Sequence, residues 1–174
     1  MSFSRVGYRG VVMAEVATKT GASRNWINYA PVIAFVIHVV ARLVLDDGHG
    51  AAVTTLRLAL FWLVGINGLL LSAGHLVMPA RVARAIGWPT SPFQWEVGLA
   101  GVSYGLLGVL SPLFERPFWL ATILAYSVFM LGAAIGHIRS MVKDRNFAPG
   151  NAGFMFWYDI VVPAGLIALY VLTA

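Results

Sequence analysis

The sequence predicts an all-α fold, a polytopic membrane helix bundle of about five transmembrane helices, with a four-helix antiparallel core and one additional N-terminal helix. Hydrophobic residues make up 59% of the 174 residues and charged residues only 11%, whereas soluble domains are about 25% charged. The mean hydropathy is correspondingly high, at +0.79. The apolar residues also occur in runs of about 20, which is the length that an α-helix needs to cross a bilayer.

These runs divide the chain into a polar N-terminal arm, residues 1–24, and a single transmembrane domain, residues 25–174. The first run is the weakest candidate because it is short and carries His38 and Arg42. Both Met1 and Met13 stay open as the start of the protein. Helix-breaking Gly and Pro residues separate the later runs. We expect five spans, over about 26–45, 53–78, 94–114, 117–139 and 153–173.

Positive charge is distributed unequally between the two sides that alternating helices would create. Three basic residues fall on one side, Arg42, Arg57 and Arg116. The other nine of the 12 fall opposite: Arg5, Arg9, Lys19, Arg24, Arg81, Arg84, Arg139, Lys143 and Arg145. The positive-inside rule predicts that the larger group is cytoplasmic. The N-terminus is therefore expected inside and the C-terminus outside, in the inner (cytoplasmic) membrane, and the basic loops give no reason to expect a nucleic-acid partner.

Recognisable catalytic motifs are absent from the sequence. It has no cysteine, which excludes disulfides and thiolate chemistry, and it has no HExxH, Glu-x-x-His or haem-attachment motif. The loops are too short for a soluble active site. The leading interpretation is therefore a non-catalytic accessory or scaffold subunit in the lipid bilayer, beside a membrane-protein partner or in a homo-oligomer. An oligomeric transporter is a less favoured alternative, and an enzyme is not favoured.

Four ionisable residues from four predicted helices should meet at the cytoplasmic end of the bundle: His75, Glu96, His137 and Asp159. Intramembrane charges usually face the bundle interior and pair with one another. They could simply be solvated, or join neighbouring helices by hydrogen bonds. Alternatively, they could handle protons or a quinone head group, hold a metal through His and carboxylate ligands, or ligate haem through the two histidines.

Two Gly-x-x-x-Gly pairs predict close helix packing, Gly101 with Gly105 and Gly132 with Gly136. Such pairs let two helix backbones approach each other. Packing within the bundle is favoured over packing between subunits.

Four segments resemble a family of small bacterial membrane proteins of unknown function: GHLVMP (74–79), GWPTSPFQWEVG (87–98), GAAIGH (132–137) and APGNAGFMFWYDI (148–160). The resemblance runs from about residue 57 to the C-terminus and implies a four-helix core without a known activity. More remotely, Arg57, Gly74 with Pro79, Glu96 and His137 resemble positions of the DoxX-like membrane proteins. Some of those are subunits of quinone-linked sulfur oxidoreductases. The resemblance thus supports an alternative function, a small quinone- or proton-handling membrane redox protein that uses the His/carboxylate cluster at the cytoplasmic end of the bundle.

Overall fold

The computed structural model describes residues 29–45 and 50–173, which form helices joined by short turns, with no strand among them. The predicted all-α fold is confirmed. The predicted polar arm, residues 1–24, lies outside the described residues. The helices are α1 (Ala30–Leu45), α2 (Ala51–Val77), α3 (Pro79–Ile86), α4 (Phe93–Leu110), α5 (Arg116–Asp144), α6 (Pro149–Ala152) and α7 (Phe154–Leu172).

Four helical segments are long and apolar enough to cross a membrane: Ala51–Val77, Phe93–Leu113, Arg116–Asp144 and Pro149–Leu172. They correspond to the second to fifth predicted spans. Helix α1 has 16 residues, which extend about 24 Å at 1.5 Å per residue, against about 30 Å for a bilayer core. The first predicted span, 26–45, is thus described as a shorter apolar helix from Ala30 onwards.

Helices α2 and α4 pack backbone to backbone through glycines. A Cβ atom on Gly65 would lie 2.6 Å from the backbone nitrogen of Val109. A Cβ atom on Gly105 would lie 3.0 Å from the backbone nitrogen of Leu69. Only glycine permits such an approach, and the close packing supplies the dispersion contacts that join helices in lipid.

A π-helical segment, Leu60–Ile66, interrupts α2, and the backbone N–H of Asn67 donates to the Trp62 carbonyl five residues earlier. Within this segment the carbonyl of Leu63 accepts a hydrogen bond from the Tyr158 hydroxyl at 2.7 Å. Irregular backbone inside a bilayer has to find hydrogen-bond partners within the protein. Tyr158 provides one such partner and ties α7 to the middle of α2.

Two arginines satisfy carbonyl groups at one end of the bundle. At the C-terminus of α7, the Arg116 guanidinium donates to the carbonyls of Tyr170 (3.1 Å) and of Thr173 (2.6 Å), which follows the last helical residue. Arg57 donates to the carbonyl of Pro112 at 3.0 Å, in the turn between α4 and α5. The last carbonyls of a helix have no partner within the helix, so these arginines stabilise the helix end and the turn.

The antiparallel order places six chain segments at the opposite end, which we call the α3 end. It comprises the C-terminus of α2, helix α3, the N-terminus of α4, the C-terminus of α5, helix α6 and the N-terminus of α7. Every candidate residue of the predicted polar cluster lies in these segments.

Candidate functional site

A cavity of about 690 Å³ opens at the α3 end, between the α2–α4 and α5–α7 helix pairs. This volume is in the range of small-molecule sites, which are mostly apolar with a few polar groups. Apolar side chains and backbone form most of the wall. The polar side chains that line it include Ser72, His75, Gln94, Tyr104, His137 and Asp159.

Aromatic side chains keep α4 and α5 apart and so create the space. The Tyr104 ring of α4 lies 5.3 Å from the Tyr126 ring and 5.4 Å from the Phe129 ring, both on α5. Along the wall of the cavity, α5 carries Gly132 and Gly136, which have no side chain to fill the space. The cavity thus results from large residues at its inner end and glycines along its wall.

Asn151 fixes the hydrogen positions of His137. The amide nitrogen of Asn151 donates to the carbonyls of Asn146 (2.8 Å) and His137 (3.3 Å). Its Oδ1 atom therefore faces the His137 ring and accepts from Nδ1 at 2.7 Å. A neutral imidazole carries one hydrogen, so in neutral His137 the Nε2 atom has the free lone pair.

The Nε2 atom of His137 lies 3.6 Å from Oδ2 of Asp159, and both side chains are buried. The Trp88 ring stacks on the imidazole, with ring centroids 5.3 Å apart and planes 28° apart. A protonated His137 would place its charge beside this carboxylate, in surroundings where water screens charge weakly. The imidazole and the carboxylate are thus close enough for a direct electrostatic interaction.

A hydrogen-bond network closes the α3 end over this pair. Trp88 Nε1 donates to the Ser140 hydroxyl at 3.1 Å, and the Asn146 amide donates to the carbonyl of Ile86 at 2.8 Å. Gly87 lies between Ile86 and Trp88 and begins the turn after α3. Its φ of 79° lies in the left-handed region that favours glycine. The network holds the loop after α3 against the end of α5 and positions the indole on His137.

The second histidine lies on α2. His75 Nδ1 donates to Oε1 of the buried Gln94 at 2.5 Å. In this arrangement the neutral ring again leaves its Nε2 lone pair free. Two histidines from different helices thus line one cavity, each with Nδ1 occupied by a side-chain amide oxygen.

The structure brings three of the four predicted cluster residues to this cavity: His75, His137 and Asp159. Glu96 lies at the same end of the bundle, but its side chain is exposed and does not line the cavity. Residues two apart on an α-helix point about 200° apart, and of Gln94 and Glu96 it is Gln94 that faces inward. Gln94, and not Glu96, is the α4 side chain that contacts His75.

The two predicted glycine pairs occupy different surroundings. Gly101 and Gly105 face α2, where their Cβ atoms would meet Ser72 and Leu69. Gly132 and Gly136 line the cavity instead; a Cβ atom on Gly132 would meet nothing within 4 Å, and one on Gly136 would lie 3.7 Å from Trp88.

Sequence reasoning did not identify the residues that orient the histidines, namely Asn151, Gln94 and Trp88. Asn151 follows Pro149-Gly150 and reads as a turn residue, since no local pattern pairs it with a histidine 14 positions earlier. The available signal was that all three residues lie in the two longest segments that resemble the family, 87–98 and 148–160.

Within the described ranges, no group of three or more His, Cys, Asp or Glu side chains is placed to hold a metal ion.

Comparison with known proteins identifies a family without an assigned function. The model of DUF6790, a family of unknown function, matches residues 24–174. No curated protein and no solved structure matches the chain, and no comparison shows a relationship to the DoxX-like proteins. Since the match covers most of the sequence, the chain belongs to DUF6790.

Proposed function

We propose that this protein binds a membrane-soluble molecule whose head group carries hydroxyl groups, a hydroquinone being the class that fits best, and that His137 with Asp159 can hold a proton from it. The observation that carries the proposal is that one apolar cavity is lined by two histidines and a carboxylate. Its walls suit a ring and an aliphatic substituent, and its polar groups suit a head group.

The hydrogen-bonding character of the site favours a donor over an acceptor. With Nδ1 of both histidines occupied by Asn151 and Gln94, each neutral imidazole offers Nε2 as an acceptor. An ionised Asp159 carboxylate can likewise only accept hydrogen bonds. A hydroquinone has two hydroxyl donors, whereas the corresponding quinone has none. The site is therefore expected to bind the reduced molecule more tightly than the oxidised one.

A bound hydroxyl group that donates to Nε2 of His137 is placed to transfer its proton to that nitrogen. The imidazolium formed would lie 3.6 Å from the Asp159 carboxylate. Histidine is the side chain best suited to such a transfer near neutral pH. The proposal covers binding and proton transfer only.

The arrangement favours an organic ligand over haem. Haem ligation by His137 would require its Nε2 lone pair, and the Asp159 carboxylate lies beside that atom. The accessory-subunit and oligomeric-transporter interpretations stay hypotheses, and the cavity is the observation that favours ligand binding over both.

We also propose that the α3 end faces the cytoplasm, in the inner membrane. Of the described basic residues, the α3 end carries five: Arg81, Arg84, Arg139, Lys143 and Arg145. The opposite end carries Arg42, Arg57 and Arg116. The positive-inside rule favours this orientation.

The proposed ligand binding is tested by titrating the purified protein in lipid nanodiscs with a decyl-substituted hydroquinone and, separately, with the corresponding quinone. Tryptophan fluorescence follows the binding. Trp88 lines the cavity and should report occupancy. We expect the hydroquinone to bind about tenfold more tightly, since one hydrogen bond contributes about 0.5–1.5 kcal/mol and 1.4 kcal/mol is tenfold in affinity.

His137→Phe should weaken hydroquinone binding about tenfold, because the ring is kept and the acceptor is lost. His38→Phe is the matched control, since His38 of α1 lies outside this cavity and contacts Trp62 of α2. Equal binding by the unaltered protein and His137→Phe would overturn the proposal.

A further inference from the structure

We infer that the ligand is a long-chain lipid whose tail leaves the cavity sideways, through the seam between α4 and α5, into the surrounding bilayer. The inference rests on the proposed function. It adds that the ligand carries an aliphatic tail, and it gives the path by which that tail leaves the cavity. The seam is defined by Phe93 and Val97 of α4 and by Val128 and Gly132 of α5, all of which line the cavity.

The seam is open because α4 and α5 make few contacts with each other, whereas α4 packs closely on α2 and α5 packs closely on α7. The inner contacts of the seam are aromatic rings, Tyr104 against Tyr126 and Phe129. Beyond them, Gly132 has nothing within 4 Å of the position that a Cβ atom would take. The two backbones are thus held apart over an unfilled strip.

The same residues that line the cavity also form the outer surface of the bundle. Phe93 is 68% exposed and Val128 is 76% exposed, although both border the cavity. The cavity is therefore continuous with the apolar surface that would contact lipid. Phe93 and Val128 both belong to helices that could cross a membrane, so the opening is expected to face acyl chains.

An aliphatic tail is the occupant that fits this seam. All four seam residues are apolar, so they offer no hydrogen bond or charge to a polar substituent. The seam leads directly to His137 and Asp159, where a head group would lie. A tail threaded over Gly132 would fill the unoccupied strip and gain apolar contacts that a tail-less head group cannot make.

The experiment compares a hydroquinone carrying a decyl tail with the same hydroquinone carrying a methyl group instead, in nanodiscs. The unaltered protein should bind the decyl form at least tenfold more tightly. Gly132→Leu should weaken binding of the decyl form about tenfold and change binding of the methyl form less than twofold. Gly165→Leu is the matched control, because Gly165 also has nothing within 4 Å and does not line the cavity; it should change neither affinity.

Val128→Trp provides a second variant, since this exposed position can accept a larger side chain if Gly132→Leu fails to fold. Unchanged decyl binding in a folded Gly132→Leu or Val128→Trp protein would overturn the seam as the route. Equal affinity of the unaltered protein for both molecules would also overturn it. If neither molecule binds the unaltered protein, the proposed function itself fails. If both molecules bind but the seam variants have no effect, only the inference about the tail route fails.

Discussion

The Oδ1 atom of Asn151 accepts a hydrogen bond from Nδ1 of His137 at 2.7 Å. This contact between α6 and α5 determines which imidazole nitrogen faces Asp159. The direction of the bond follows from the two carbonyls that the Asn151 amide nitrogen already contacts. The chemical character of the cavity thus depends on a residue that does not line it.

Replacing Asn151 should change the tautomer of His137. In Asn151→Leu the side-chain volume is kept, but the Nδ1 hydrogen and two carbonyls lose their partner. We expect a stability loss of about 1–3 kcal/mol, the cost of leaving buried polar groups unpaired, and a mixed tautomer population. Stability is measured by denaturant unfolding, and the tautomer by ¹⁵N NMR of histidine-labelled protein.

Asn151→Asp is the control for that experiment, because a carboxylate keeps an acceptor opposite Nδ1 while losing both donated hydrogen bonds. It should retain the Nδ1–H form. A pure Nδ1–H tautomer in Asn151→Leu would show that Asn151 does not determine the hydrogen position.

Asp159 and Glu96, which both lie at the α3 end, should differ in their effect on binding. Asp159→Asn removes the charge beside His137 and should weaken hydroquinone binding about tenfold, since hydrogen bonds to charged groups contribute about 1.5–3 kcal/mol. Glu96→Gln makes the same chemical change on an exposed side chain and should leave affinity within twofold. Titrations in nanodiscs compare the two variants, and a larger effect of Glu96→Gln would place the site elsewhere.

Close packing of α2 on α4 should not tolerate a side chain at Gly108. Its Cβ atom would overlap the backbone nitrogen of Gly65 and lie 2.7 Å from the carbonyl oxygen of Leu60. We expect Gly108→Ala to destabilise the protein by about 1–3 kcal/mol, the usual cost of overpacking. Thermal unfolding in detergent measures this.

Gly132→Ala is the matched control on α5, where the added methyl group meets nothing within 4 Å. It should be neutral or slightly stabilising, because alanine favours a helix over glycine by about 1 kcal/mol. Equal losses in the two variants would contradict the packing described for α2 and α4.

Arg116 should stabilise the end of α7. Arg116→Gln removes the guanidinium that donates to the carbonyls of Thr173 and Tyr170 and that lies 4.4 Å from the Tyr170 ring centroid. We expect faster amide hydrogen exchange over the last turn of α7 and a loss of about 1–3 kcal/mol in stability. Arg139→Gln, at an exposed position of α5, should leave that exchange unchanged.

Hydropathy and length predicted the all-α fold and the positions of the four long apolar helices, because the bilayer imposes a length and an apolar surface on any spanning helix. The alternation of helices also predicted that His75, His137 and Asp159 lie at one end. Helix rotation was harder to predict: Glu96 and Gln94 differ by two positions, and a helix of low amphipathicity gives little indication of which one faces inward. The role of Asn151 depends on a tertiary contact that no local pattern specifies.

The most direct measurement is ¹⁵N NMR of histidine-labelled protein in nanodiscs during titration with the decyl hydroquinone. The account predicts that the Nε2 resonance of His137, identified by its loss in His137→Phe, shifts as the ligand binds while the Nδ1 resonance keeps its protonated position. A ligand that binds without moving the His137 Nε2 resonance would contradict the account.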